Sequence, residues 1–230
     1  MHVLIACEES QRVCLAFREK GFSAFSCDIQ ECSGGRPDIH IKGDVTPILN
    51  GSCTFFTQDG KKHYISKEWD LIIAHPPCTF LTNSGNKYFD TAKYGEKAWK
   101  RMKERNKAIK FYYKFVLCKC DHIDIENPCG IMSTAYRKPD MTYNPYDFEG
   151  ETESKRTCLW LKNLPLLKST RIIPLRKDEI THNIFEARME GKRLSWNDPN
   201  TAIFRSKTPI GVAKAMADQW GEFIRRESLL

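Results

Sequence analysis

The stretch Trp69-Asp70-Leu71-Ile72-Ile73-Ala74-His75-Pro76-Pro77-Cys78 decides how this chain folds. Trp69 to Ala74 is a short apolar run and reads as a buried strand. Two prolines then stop it and fix the backbone, so that Cys78 leaves the strand's carboxyl end in a defined direction. In open parallel α/β sheets, ligands and reactive groups gather at that edge. A second strand ends in a similar way, at Ile125-Glu126-Asn127-Pro128, and places a carboxylate where a loop begins. Either motif alone is most simply a structural turn, with an inert buried Cys or a surface Glu. A thiol and a carboxylate at the same edge of one sheet are a chemical pair.

Outward from this core, apolar β-branched runs alternate with helical patterns, which argues for βαβ units in an α/β chain with a mostly parallel sheet. His2 to Ala6 reads as a strand, Gln11 to Lys20 as a helix ended by Gly21, Ser23 to Asp28 as a second strand and Ile39 to Lys42 as a short third. The polar stretch from Asn50 to Lys67, with Gly51 and Gly60, reads as an inserted hairpin or loop. Thr91 to Cys118 has the pattern of one long helix, basic at first and then apolar, leading into the strand His122 to Glu126. Ser133 to Phe148 carries Pro139 and Pro145 among tyrosines and reads as a loop. Its Tyr136, Tyr143, Tyr146 and Phe148, beside Arg137 and Lys138, suit packing onto their own domain better than stacking on bases. Pro209 to Arg226 reads as a closing helix with Val212, Met216, Trp220 and Phe223 on one face.

A chain of 230 residues is long enough for one substantial core and short for two, so residues 1–230 are expected to form a single domain. The longest apolar runs fall far short of a membrane span, and the chain goes from Met1 straight into a strand without a secretory leader. A cytoplasmic protein with its ten cysteines reduced is expected. Cys118, Cys120 and Cys129, or Cys27 with Cys32, lack the paired spacing of a zinc site, so no metal is assigned. A net charge of +7 suits a polyanionic partner, although the run Lys97 to Lys110 equally suits a solvated helix face.

Taken in order, these motifs resemble the cytosine-C5 DNA methyltransferases, from the first strand to Glu126 with a return near the C-terminus. Pro76-Pro77-Cys78-Thr79-Phe80-Leu81-Thr82-Asn83-Ser84-Gly85 looks like that family's catalytic loop, and Glu126-Asn127-Pro128 is similar to its Glu-Asn-Val. Asp28 in Cys27-Asp28-Ile29 and the pair Gly43-Asp44 before Val45 and Thr46 look like its cofactor pocket. Thr208 to Ala215 resembles its last motif, which begins the helix that folds back beside the cofactor.

The resemblance implies a Rossmann-like, S-adenosylmethionine-dependent methyltransferase fold and cytosine C5 methylation in DNA. C5 of cytosine is a poor nucleophile. A thiolate added at C6 makes it enamine-like, and Cys78 takes that part, activated by electropositive surroundings. Glu126 would hold the N3 and amino edge and supply a proton as charge builds there. Lys155 or Arg156, in Ser154-Lys155-Arg156-Thr157, would donate to the base carbonyl. The implied cofactor pocket comprises Ala6, Cys7, Glu8, Glu9, Ser10, Asp28, Ile29, Gly43, Asp44, Val45, His75 and Pro76, with Asp28 on the ribose hydroxyls and Asp44 or its neighbours on the adenine.

Two departures from the family matter. The turn Ala6-Cys7-Glu8-Glu9-Ser10-Gln11 has no glycine where the family is glycine-rich, so the Glu8, Glu9 or Ser10 side chains are expected to take over binding there. Only residues 159–205 stand where the family has a large recognition region. Lys162, Lys168, Arg171, Arg176, Lys177, Arg188, Lys192 and Arg193 there suit phosphate contact more than base readout. A separate recognition subunit or a homo-oligomer would supply the missing reader. Two other readings stand beside this one: modification of a free pyrimidine nucleotide by the same Cys chemistry, and a non-catalytic methyltransferase-like protein that binds DNA or inhibits another enzyme. A compact modifying enzyme of this kind suits a bacterial virus, working in the host cytoplasm.

Overall fold

The computed structural model describes residues 1–181, 188–189, 192–193, 201 and 205–229. In chain order the strands and helices are β1 (His2–Ala6), α1 (Arg12–Glu19), β2 (Ser23–Asp28), β3 (His40–Lys42), β4 (Cys53–Phe56), β5 (Lys62–Ile65), β6 (Leu71–Ala74), α2 (Thr91–Tyr94), α3 (Glu96–Val116), β7 (Ile123–Pro128), α4 (Met132–Ala135), β8 (Met141–Tyr143), β9 (Thr157–Lys162), β10 (Arg188–Met189), β11 (Lys192–Arg193) and α5 (Ile210–Glu227).

Seven strands form one sheet in the order β3-β2-β1-β6-β7-β9-β8. The pairs from β3 across to β7 are parallel, and β9 runs antiparallel to both β7 and β8. A parallel sheet with one reversed strand slotted between the last two is the Rossmann-like methyltransferase arrangement that the resemblance implies. The order changes direction between β1 and β6, so the carboxyl ends of β1, β2, β6 and β7 share the edge where such sheets place their ligands. β6 is fully buried, as its unbroken apolar run requires. Its neighbour Trp69 is anchored by an Nε1–H bond to the Ile48 carbonyl (2.7 Å). No helix among the described residues is long and apolar enough to cross a membrane.

Several expectations hold closely. β1 and β2 match their expected bounds, α5 buries Val212, Met216 and Trp220 as read, and Asn50 to Lys67 is a hairpin, β4–β5, outside the main sheet. Three are corrected. The expected helix Thr91 to Cys118 breaks at Gly95 (φ 49°), a backbone conformation that glycine adopts without penalty, and separates into α2 and α3. The expected loop Ser133 to Phe148 contains α4 and the edge strand β8; Tyr143 and Phe148 within it are buried and meet edge to face. Residues 159–162, expected to begin a recognition segment, belong to β9 with its buried Cys158, Leu159 and Trp160. Chain outside the sheet therefore starts at Asn163.

Candidate active site

The site is built where β6 and β7 end side by side. The pairing of Ala74 with Ile125 brings the residues that follow, His75 and Glu126, to the same level of the edge. Four hydrogen bonds to backbone carbonyls fix this corner, the one from Asn127 through its side-chain amide. His75 N–H donates to the Ala6 carbonyl (2.9 Å), the Asn127 amide donates to the Pro76 carbonyl (2.7 Å), and Leu81 and Thr82 N–H both donate to the Cys78 carbonyl (2.9 and 3.0 Å). The loop after Cys78 is gripped from two sides. Gly130 lies so close to it that a Cβ there would sit 2.0 Å from the Leu81 carbonyl oxygen, while Ile131 N–H donates to that oxygen at 2.8 Å. From α3, Arg101 donates to the Thr79 carbonyl (3.2 Å). Arg105 donates to the Phe80 carbonyl (2.9 Å) and to Asn86 Oδ1 (2.7 Å), with its guanidinium 3.4 Å from the centroid of the Phe89 ring.

Cys78 is the one exposed cysteine of the ten. The protein mass around its thiol still pushes its pKa up, against the opposing charges of Lys155 and, less strongly, Arg205. Lys155 is thus the stronger of the two charges that favour its ionised form.

Glu126 faces His75 and Tyr143. His75 Nδ1 lies 3.4 Å from Glu126 Oε2, and the Tyr143 hydroxyl donates to the same oxygen at 3.3 Å. Burial alone would raise the Glu126 carboxyl pKa. The hydrogen bond and charge of His75, with Lys155 and Tyr143, reverse this and hold it below the usual glutamate value. Burial likewise works against a charged His75, and Glu126, with Glu8 behind it, overcomes that and raises the imidazole pKa. The two form a buried pair that is ionic when His75 is protonated. Of the two base-holding candidates, Lys155 is half-buried, its Nζ donates to the Arg205 carbonyl (2.7 Å), and its charge acts on Cys78, Glu126 and His75. Arg156 is exposed and acts on Cys158 instead.

The expected cofactor residues line the same edge from β1 to β3, and they divide by where their side chains go. The glycine-free turn is built with Cys7 and Gln11 at positive φ (61° and 60°), at a cost of roughly 1–3 kcal/mol each. Side chains compensate. The Glu8 carboxylate turns inward and accepts from Val13 and Cys14 N–H (2.7 and 3.2 Å), capping α1, and the Gln11 amide bonds both backbone groups of Arg36. Glu8 is thereby committed to the fold. Ser10 is buried, and the Ala6, Val45 and Pro76 side chains are buried too.

The remainder presents carboxylates and an apolar surface at the edge. Glu9 has a buried carboxylate oxygen, Oε1, without a hydrogen-bond partner. Asp28 ends β2 with Oδ1 on Gln30 N–H (2.9 Å), and the neighbouring Ile29 is 76% exposed, an apolar surface beside a carboxylate. Gly43 faces open space. Asp44 is exposed, and its Oδ1 accepts from Thr46 N–H and hydroxyl (2.9 and 2.8 Å). Among the described residues no group of three or more His, Cys, Asp or Glu is placed to hold a metal ion.

Sequence reading singled out Cys78, Glu126 and the alternatives Lys155 or Arg156; of these, Cys78, Glu126 and Lys155 act electrostatically on one another. It missed Tyr143, taken for packing, and the Arg101/Arg105 grip, whose only signal was two arginines four residues apart within a basic run. The side chains of Arg188, Lys192 and Arg193 lie outside what the structure describes.

No protein-family profile and no curated protein sequence matches this chain. Among solved structures, one match is to a crystal structure of a triple mutant of Spodoptera frugiperda DNMT2, at 14% sequence identity and a TM-score of 0.36. The alignment covers 76% of this chain, which spans 55% of that protein's length. At that level of similarity the strand order, rather than the match, carries the description of the fold.

Proposed function

We propose that this protein methylates cytosine at C5 in DNA, with S-adenosylmethionine as methyl donor and Cys78 as nucleophile. The observation that carries the reading is that Cys78 and Glu126 follow the carboxyl ends of adjacent parallel strands, each within the electrostatic reach of Lys155. The residues at the β1–β3 edge fit the cofactor: the unpartnered Glu9 oxygen suits an ammonium or hydroxyl donor, Asp28 suits ribose hydroxyls, and Ile29 suits a purine face. When bound, the cofactor supplies a methyl group on a sulfonium.

The chain's own residues do the rest. Cys78 loses its proton to solvent and adds to C6 of the base, and Lys155 favours the thiolate electrostatically. Glu126 holds the N3 edge and protonates N3 as charge arrives there. After methylation, loss of the C5 proton to water restores the double bond and expels Cys78. In duplex DNA the base must first leave the stack, at a cost of a few kcal/mol.

A second reading, the same chemistry on a free pyrimidine nucleotide, draws support from β9, because its place in the sheet leaves less chain for reading bases. Mass spectrometry of nucleosides after incubation with isotope-labelled S-adenosylmethionine separates the two, with duplex DNA and free nucleotides in parallel reactions. Label in DNA 5-methylcytosine, abolished by Cys78→Ala, is the expected result. Label only in a free nucleotide selects the second reading, and no label in either overturns both.

A further inference from the structure

The fold does not need an imidazole at His75 to turn the chain, since Pro76 and Pro77 do that. The ring is nevertheless carried into the site, with its side chain only 11% exposed and that of Glu126 only 12%. Both protein contacts to the Glu126 carboxylate among the described residues, His75 Nδ1 at 3.4 Å and the Tyr143 hydroxyl at 3.3 Å, fall on Oε2. That leaves Oε1 as the oxygen offered to a ligand. The second ring nitrogen, His75 Nε2, is buried with no hydrogen-bond partner among the described residues, so within them Glu126 is the partner that orients the ring.

We propose that His75 is the proton reservoir of the site, holding through Nδ1–H the proton that Glu126 passes to N3 of the pyrimidine. This inference rests on the methyltransferase reading above. Glu126 has to be a carboxylate to attract the amino edge of cytosine and an acid to protonate N3, and one carboxyl group cannot be both at rest. A His75–Glu126 pair sharing a proton resolves the conflict. As the Cys78 thiolate adds to C6 and electron density reaches N3, Glu126 Oε2 takes the proton from His75 Nδ1 and, as the carboxyl group turns, delivers that same proton to N3. The imidazolium becomes neutral imidazole, the carboxylate is regenerated, and charge is conserved. The steps reverse when Cys78 leaves. His75 is therefore a positioning and proton-supplying residue that acts through Glu126.

The groups facing this pair are Glu8 from the turn after β1, Cys78 from the loop after β6, Asp124 from β7, Tyr143 from β8 and Lys155 from the segment before β9. Glu8 and Glu126 favour the imidazolium, Lys155 disfavours it, and the balance lies above the ordinary histidine value. Activity on this account falls as the pH rises through the His75 pKa, where the pair loses its shared proton.

The test has two arms. In the first, the protein is labelled with 15N-histidine and His75 is titrated by NMR in the wild type and in Glu126→Gln. His75 is expected to titrate above 6.5, the ordinary histidine value, and at least tenfold weaker proton binding is expected in the variant. A titration that Glu126→Gln leaves unchanged overturns the pairing. In the second arm, the pH dependence of methyl transfer is compared between wild type and His75→Asn. The variant is expected to lose at least tenfold in kcat and to lose the alkaline fall, with KM for the methyl donor unchanged. An unaltered profile in an active variant overturns the role of His75 alone. No transfer by the wild type, with the NMR pairing intact, overturns the proton delivery together with the functional reading.

Discussion

Asp124 shows how strongly a single residue can oppose its surroundings. It lies in β7, two residues before Glu126, fully buried, with neither carboxylate oxygen partnered. Burial first, and then the negative charges of Glu126 and Asp140, push its pKa well above the ordinary aspartate value. The sign of the consequence follows from linkage. Below about pH 4 the group is protonated in both the folded and unfolded states, so it costs nothing. Above that, only the unfolded chain gives up the proton freely, and the folded state loses stability as the pH rises toward the folded pKa. Asp124→Asn is therefore expected to melt at a higher temperature than the wild type at pH 7, and the gain is expected to shrink away by pH 4. Thermal unfolding followed by circular dichroism at the two pH values checks this, with each 1 kcal/mol worth about 2–4 °C in a chain of this size. Residue-scale chemistry was partly legible in the sequence. Cys78 and Glu126 stood out because prolines mark their strand ends, whereas Tyr143 enters the site through the pairing of β8 with β9 and of β9 with β7, which no local pattern encodes.

At the scale of elements, the loop that begins at Cys78 depends on α3. Arg101 and Arg105, one turn apart, grip the carbonyls of Thr79 and Phe80. Hydrogen bonds from a charged donor are worth about 1.5–3 kcal/mol, with partial exposure favouring the low end. Arg105→Ala is expected to loosen the loop and relieve the burial that holds the Cys78 thiol pKa up. Alkylation of Cys78 by iodoacetamide at pH 8, followed by peptide mass spectrometry, should then be several-fold faster than in the wild type. Arg105→Lys is expected to resemble the alanine variant, because an ammonium cannot reproduce the two-pronged contact to Phe80 and Asn86. Equal rates in all three proteins would show that the grip does not govern the loop. The elements themselves were legible where partners are close in sequence: β1, β2 and α5 follow directly from apolar periodicity. β8 and β9 were not, because a returning antiparallel strand is defined by what it pairs with, and Pro139 and Pro145 around β8 mimic a loop.

At the scale of the whole molecule, part of the basic charge lines one helix, where Lys100 and Lys107 also pair with Glu96 and Glu104. Lys100, Lys103, Lys107 and Lys110 recur along one exposed face of α3 over about 15 Å, beside Trp99, which is 59% exposed. The same helix reaches the Cys78 loop through its arginines, so a phosphate backbone lying on the lysines would run past the nucleophile. Replacing Lys103 and Lys110 together by Glu is expected to weaken duplex DNA binding and to lower the slope of log affinity against log salt by roughly one per lysine. Fluorescence anisotropy over a salt series measures both, and an unchanged slope would move the DNA to another face.

The most direct test of the central claim, that Cys78 attacks C6 of cytosine, is to trap the adduct. Duplex DNA containing 5-fluorocytosine is incubated with the protein and S-adenosylmethionine, and the products are digested and sequenced by mass spectrometry. Fluorine at C5 cannot leave as a cation, so after methyl transfer the thiol has no route to depart. The account predicts a stable conjugate on the peptide containing Cys78, absent without S-adenosylmethionine and absent in Cys78→Ala. Methyl transfer to DNA without such a conjugate, or a conjugate mapped to a different cysteine, would contradict it.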